Sequence, residues 1–306
     1  MILILLVAYS LGAEYEKGTL YFGIGETMQE KLEDKKIDEY NVLVPGTTTE
    51  DSKFYPIVKD EAEFNSLKVR LVSLSDVSTC PAIGYSYIYG LYGLLGFSIK
   101  ADENANISPS ITFLIKNVLI TQKCEGLEYG FESYSLYNFG ITDADCAPNT
   151  AIPDNTSLCL DGSQPKVYLK GSRVGSFFKS DAETVKKLIA RFGAVQIGLD
   201  VIIGWDGPNW IDANWGAFQY FWDKFEIDYS KMDYEGRVIA VGDKPVDCSK
   251  VTETTSVDLC ACPSDKKDLK KDPRYVKGGK CSAMSVKTQM NFIVLFAVLP
   301  MLALIY

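Results

Sequence analysis

The chain of 306 residues contains no histidine. Histidine is the one side chain whose unperturbed pKa lets it both take and give a proton near neutrality, and a cysteine or serine nucleophile ordinarily depends on such a partner. Its absence weighs against nucleophile–imidazole hydrolysis and removes mixed cysteine–histidine zinc sites. No Gly-x-Gly-x-x-Gly, P-loop, EF-hand or metalloprotease motif is present, so no cofactor and no metal are expected. Basic residues are in deficit: 31 Lys and Arg against 40 Asp and Glu give a net charge of −9, which argues against nucleic acid as a partner. Acidic pairs such as Asp143/Asp145 and Asp51/Asp59 have no spacing that sets two carboxylates on one face with a defined gap, and read as solvated surface.

Long apolar runs are also scarce, and two of them lie at the ends. Residues 1–12 are apolar and finish in small residues, with Ser10 and Gly12 at the −3 and −1 positions of a cleavage site, as in a signal peptide without its basic start. Residues 292–306 are fifteen apolar residues, short of the ~20 that a membrane-spanning helix needs. The small triplet Cys281-Ser-Ala283, a mostly polar spacer to Asn291 and this apolar tail form a GPI-attachment pattern over 282–306, with a short membrane anchor as the rival reading. Either way the expected location is the secretory pathway and then a cell surface. Eight cysteines suit export and point to disulfides. Asn106-Ile-Ser108 and Asn155-Thr-Ser157 are N-glycosylation sequons.

Between the ends, residues 13–67 are polar and form a pro-like segment or an N-terminal arm. Residues 68–246 are richer in aliphatic and aromatic side chains, and residues 247–281 form a Cys/Lys-rich stalk. In the central part, 85–97 is apolar almost all round and long enough for one buried helix. Ser180-Asp-Ala-Glu183 reads as a capping box opening a helix to about Phe192, which Gly193 stops. Segments 194–200 and 237–242 read as strands, so the fold class is α+β.

The order of these pieces resembles the papain-like cysteine peptidases over about 68–242. The stretch Lys68-Val-Arg-Leu-Val-Ser-Leu-Ser-Asp-Val-Ser-Thr-Cys80 resembles the start of the mature domain. The apolar helix follows Cys80 where the family has its central helix. Ile107-Ser-Pro109 resembles the turn after it, Cys124-Glu-Gly126 the "G-C-N-G-G" segment, 180–200 the helix and strand "G-P-V-x-V-A-I-D", and 232–242 the strand "D-H-A-V-L-V-V-G". The resemblance implies a two-lobed fold, a central-helix lobe and a β-barrel-like lobe, lacking its last strands because no "N-S-W-G" segment is present.

Carried over position by position, the resemblance sets Val77 at the oxyanion-hole glutamine, Ile83 at the nucleophilic cysteine and Gly236 at the catalytic histidine. A one-gap shift would offer Cys80 as nucleophile, but a thiol of pKa about 8.5 without a base is mostly protonated at neutral pH. The resemblance gives Cys80 a bridge to Cys124 instead. Cys146 and Cys159 would form a second, local bridge, while Cys248, Cys260, Cys262 and Cys281 would pair among themselves in an order the sequence does not give. All four tryptophans lie in 205–222. Trp205, Trp210 and Trp215 stand five apart in a Gly/Pro/Asn/Asp-rich segment that reads as a loop bordering the cleft, where they either anchor a ligand or pack the domain. The expected function is non-catalytic: a former substrate cleft that binds a peptide or protein partner, with the membrane reached through the C-terminal anchor. An endopeptidase with relocated catalytic residues and a surface coat protein are the alternatives.

Overall fold

The computed structural model describes residues 15–22, 34–118, 123–125, 131–241, 251, 262–263, 265–276 and 281–282. The expected signal peptide, residues 283–306 of the expected anchor, Cys248 and Cys260 lie outside the described residues. The chain divides into two units, residues 1–242 and 243–306.

In the first unit, three short strands open the chain: β1 (Thr19–Phe22), β2 (Lys35–Lys36) and β3 (Lys53–Phe54). Helices follow: α1 (Glu61–Asn65), α2 (Leu74–Thr79), α3 (Pro81–Ile88), α4 (Leu91–Glu103), α5 (Ile111–Lys116) and α6 (Phe131–Asn138). Then come β4 (Arg173–Ser180), α7 (Ala182–Phe192), β5 (Val195–Ile197), β6 (Asp200–Asp206), β7 (Asn209–Gly216), β8 (Gln219–Glu226) and β9 (Tyr234–Ala240). The strands form one antiparallel sheet in the order β2-β1-β4-β9-β5-β6-β7-β8, with β3 paired to β6. The mixed helix and antiparallel-sheet class is thus present.

Consecutive residues of a strand point to opposite faces, and here the two faces bury two different cores. Ile211, Ala213 and Tyr220 join Ile83, Leu94, Phe97 and Ile111 on the helical side. Trp205, Trp210 and Val238 join Val185, Leu188 and Ile189 of α7 on the other. Each fully buried aliphatic or aromatic side chain contributes about 1.5–3 kcal/mol.

The sequence reading of α7 holds with its cap moved by one residue. Asp181, not Ser180, is the N-cap, and its carboxylate accepts from the Thr184 amide at 2.9 Å; Ser180 is the last residue of β4. The single helix expected over 85–97 is broken at Gly90, which takes φ +74° between α3 and α4. A Cβ there would also come within 3.1 Å of the Gln196 side chain. The strand expected over 194–200 is a hairpin instead, turning at Gly198 with φ +61°.

The second unit holds α8 (Lys266–Leu269), capped by Asp265, and an Asp272–Arg274 ion pair at 2.7 Å. Among the described residues no helix is long and apolar enough to cross a membrane.

Candidate functional site

The first unit holds a cleft of about 650 Å³. One wall is the segment from Lys68 to Asp76, and the other is Ser108 with Ala144, Asp145, Pro148 and Asn149; the buried side chains of Ile83 of α3 and Tyr92 of α4 lie beneath it. Its walls are tied by backbone and amide hydrogen bonds. The Lys68 amide donates to Asn106 Oδ1 at 2.7 Å, and the Ala144 amide donates to the Ser108 carbonyl at 2.8 Å. Asn149 Oδ1 accepts from the Ile111 amide at 2.8 Å while its Nδ2 donates to the Pro109 carbonyl at 3.0 Å. The cleft is therefore built from residues far apart in sequence.

Its polar groups are fixed by one another. Lys68 Nζ pairs with Asp145 at 2.5 Å and Asp143 at 3.4 Å, and the Asp145 hydrogen bond is the main cause that holds its ammonium above the usual lysine range. Burial pushes the Tyr92 hydroxyl well up, a hydrogen bond to Ser108 opposing it in part. Ile83, at the expected nucleophile position, is fully buried and apolar, and Val77 packs over Gly84.

The β7–β8 hairpin meets one wall of the cleft at Leu71 and Val72. Its two-residue turn, Ala217-Phe218, has φ +47° and +63°, the paired positive values of a primed hairpin turn. Left-handed backbone costs about 1–2 kcal/mol per residue outside glycine. Helix α3 and the chain before α2 hold the turn: the Tyr87 hydroxyl accepts from the Gly216 amide at 3.0 Å and donates to the Gln219 carbonyl, and the Val72 amide donates to the Phe218 carbonyl at 2.9 Å. Leu71, Leu74 and Phe218 are exposed around this junction.

Gly236 does not share the cleft. It lies in β9 opposite Phe177 of β4 and lines a smaller hollow of about 240 Å³ with Ser176, Gln196 and Arg237. Arg237 is held there by Glu132 at 3.0 Å and by Gln196 Oε1 at 3.1 Å. Among the described residues no group of histidine, cysteine, aspartate or glutamate is arranged to hold a metal ion.

The tryptophans need correction. Trp205 and Trp210 are strand residues with no exposed surface, so they are core and not loop-borne ligand anchors. Trp205 Nε1 donates to the Asp51 carbonyl at 2.7 Å. Trp215 is half-buried at the end of β7, edge-on to Tyr87. The physical reason is the turn at Gly207-Pro208, where Gly207 takes φ +58°: the Gly and Pro that suggested a loop make a tight hairpin between β6 and β7.

The cysteines pair as expected where they are described: Cys80–Cys124 and Cys146–Cys159, with Cys262–Cys281 in the second unit. Three disulfides fit a secreted or extracellular protein. Of the two sequons, Asn106 is tied at both ends of its amide, through Oδ1 to the Lys68 amide and through Nδ2 to the Ser66 carbonyl at 3.2 Å. Asn155 lies in an exposed turn, where its Oδ1 accepts from Ser157.

No family model matches the chain and no curated protein sequence matches it. Among solved structures it has a weak likeness to a Carica candamarcensis cysteine protease, CMS1MS2, solved in complex with E-64. The TM-score is 0.37 at 13% identity, over 63% of this chain and 99% of that one.

Proposed function

We propose that this chain is a papain-like domain without catalytic residues, exported and held at a cell surface by its C-terminal segment, and that the cleft between Lys68–Asp76 and Ser108–Asn149 binds a peptide or protein segment. The observation that carries the reading is Ile83. The position that the resemblance gives to the nucleophile holds a fully buried aliphatic side chain beneath the cleft, in a chain with no histidine to activate any neighbour. Such a cleft offers an apolar floor and fixed polar walls, which suits binding.

Two measurements test it together. The disulfide-bonded protein, incubated with a proteome-derived peptide library, is expected to give no sequence-specific cleavage but to retain a subset of peptides. Ala144→Trp, which fills the cleft from its wall, is expected to release that subset. Cleavage at a defined sequence would return the chain to the endopeptidases. Equal retention by the Ala144→Trp variant would move the function off the cleft, and no retention at all would favour the coat-protein reading.

A further inference from the structure

Strand β8 ends the sheet. Among the described residues its only backbone pairing besides β7 is Leu71, in a single bridge to Gln219 at its start, while Phe64 of α1 packs on Trp222. From Phe221 to Glu226 every residue is exposed except the half-buried Trp222. A bare strand edge presents backbone donors and acceptors to any extended chain that approaches. Phe221, Asp223 and Phe225 alternate along the strand and so share one face, and both phenyl rings are more than 40% exposed, at 44% and 41%. Across the ladder Asp223 stands opposite Asp212 of β7. Asp200 of β6 is two residues from Ile202, the residue paired with Asp212 on the other side.

Asp212 is the anomaly of this face. It is 1% exposed, and its Oδ1 has no hydrogen-bond partner, although buried polar atoms are nearly always paired. Among the described residues no cation pairs with Asp200, Asp212 or Asp223. The nearest candidate on the strand, Lys224, is engaged by Asp206 at 2.7 Å. Asp223 has only neutral donors, the Lys224 amide at 2.8 Å and Asn214 Nδ2 at 3.3 Å.

We propose that the β8 edge is a docking surface for an extended segment carrying lysine or arginine, which pairs with residues 221–226 as an added strand and sets its cationic side chain on Asp223 between the rings of Phe221 and Phe225. A residue opposite Asp223 on such a strand stands about 5 Å away, and a cation beside two phenyl faces gains further attraction. Charge selects this occupant. An acidic strand is repelled, and a second copy of this chain is disfavoured because the register that pairs Phe221 with Phe225 across the two-fold also sets Asp223 on its own symmetry mate. None of these residues lines the cleft, so the surface is independent of the function proposed above.

A cation on Asp223 also acts on Asp212 through charge. Burial, then the charge of Asp200 and, more weakly, of Asp223, keeps its carboxyl protonated at neutral pH. Neutralising Asp223 lowers the cost of ionising it, so binding releases a proton.

The test is calorimetric titration of the whole chain with acetyl-Lys-Val-Lys-Val-Lys-Val-amide at pH 7 in two buffers of different ionisation heat, with the Glu-Val counterpart and lysine amide as controls. The expected result is saturable binding of the Lys-Val peptide alone, with proton release, weakened about tenfold or more, the equivalent of about 1.4 kcal/mol, by the surface changes Asp223→Asn or Phe225→Ser and unchanged by Ala144→Trp. Equal binding of the Glu-Val peptide or of lysine amide would overturn the proposal, as would an unchanged affinity in Asp223→Asn or binding without proton release.

Discussion

Gly236 lies so close to Gln196 that a Cβ on residue 236 would stand 1.9 Å from the Gln196 carbonyl oxygen and 2.9 Å from the Phe177 ring. The backbone of β5 has closed over the place that the resemblance gives to an imidazole. Reinstating the missing chemistry is therefore not a matter of two side chains. Ile83→Cys with Gly236→His is expected to show no turnover of a fluorogenic peptide. Gly236→Ala alone is expected to lose stability at the upper end of the about 1–3 kcal/mol typical of overpacking, read as a fall in the urea midpoint. Peptidase activity in the double variant would contradict the closed strand.

Trp205 and Trp210 separate by their indole nitrogens. Either one replaced by alanine is expected to cost about 3–5 kcal/mol, as for other large core side chains. Phenylalanine divides them. Trp205→Phe strands the Asp51 carbonyl that its Nε1 serves, whereas Trp210 Nε1 is buried without a partner, so Trp210→Phe removes an unsatisfied donor. Thermal unfolding should rank Trp210→Phe clearly above Trp205→Phe; the reverse order would deny the Asp51 bond.

Asp212 gives the fold a pH dependence of unusual sign for a carboxylate. Burial raises its folded pKa from 3.8 to about 8. The folded chain thus holds a proton that the unfolded chain releases above pH 4. Its contribution is complete below the unfolded pKa and falls away as pH rises through the folded one. Stability should decline between pH 4 and 8 with a limiting slope of about 1.4 kcal/mol per pH unit from this group, and level off above. Asp212→Asn should flatten that decline in denaturant titrations across pH, while a wild-type profile flat from pH 4 to 8 would refute the shift.

The disulfides should rank by the loops they close. Cys80–Cys124 spans 44 residues and Cys146–Cys159 spans 13, which corresponds to about 4 and about 3 kcal/mol on the chain-entropy model. Paired Cys→Ala variants compared in urea test this. A Cys80/Cys124 double variant that unfolds at the wild-type midpoint would reopen the question of Cys80 as a reactive thiol.

Helix α7 was legible because two signals coincide there, an apolar stripe through Val185, Leu188 and Ile189 and an Asp/Gly pair at its ends. The apolar run before it was legible as buried but not as broken, since a glycine within a hydrophobic run does not announce its φ. The tryptophan segment was misread because composition was weighed above spacing. Asp206-Gly207 between two runs is a hairpin signal, and it turns the five-residue spacing of Trp205 and Trp210 into a cross-strand pair. The Ala217-Phe218 turn carries no such mark, because its positive φ values are imposed by Tyr87 and Val72 from elsewhere in the chain. For the same reason the cleft could not be read in advance: its walls come from 68–76 and 108–149, and only the tertiary hydrogen bonds bring them together. Asp212 carries no signal of its own in the sequence; only the place of its strand inside the sheet buries it.

The N-terminal strands have a further consequence. Tyr21 of β1 pairs with Ser176, Phe54 of β3 pairs with Trp205, and the Ser52 carbonyl accepts from the Gly207 amide at 2.7 Å. The segment before Lys68 is woven into the body of the molecule at two places. A protease that nicked the chain just before Lys68 would yield two bands on a denaturing gel and a single particle in gel filtration, because the shorter piece leaves only by giving up both of its strand pairings.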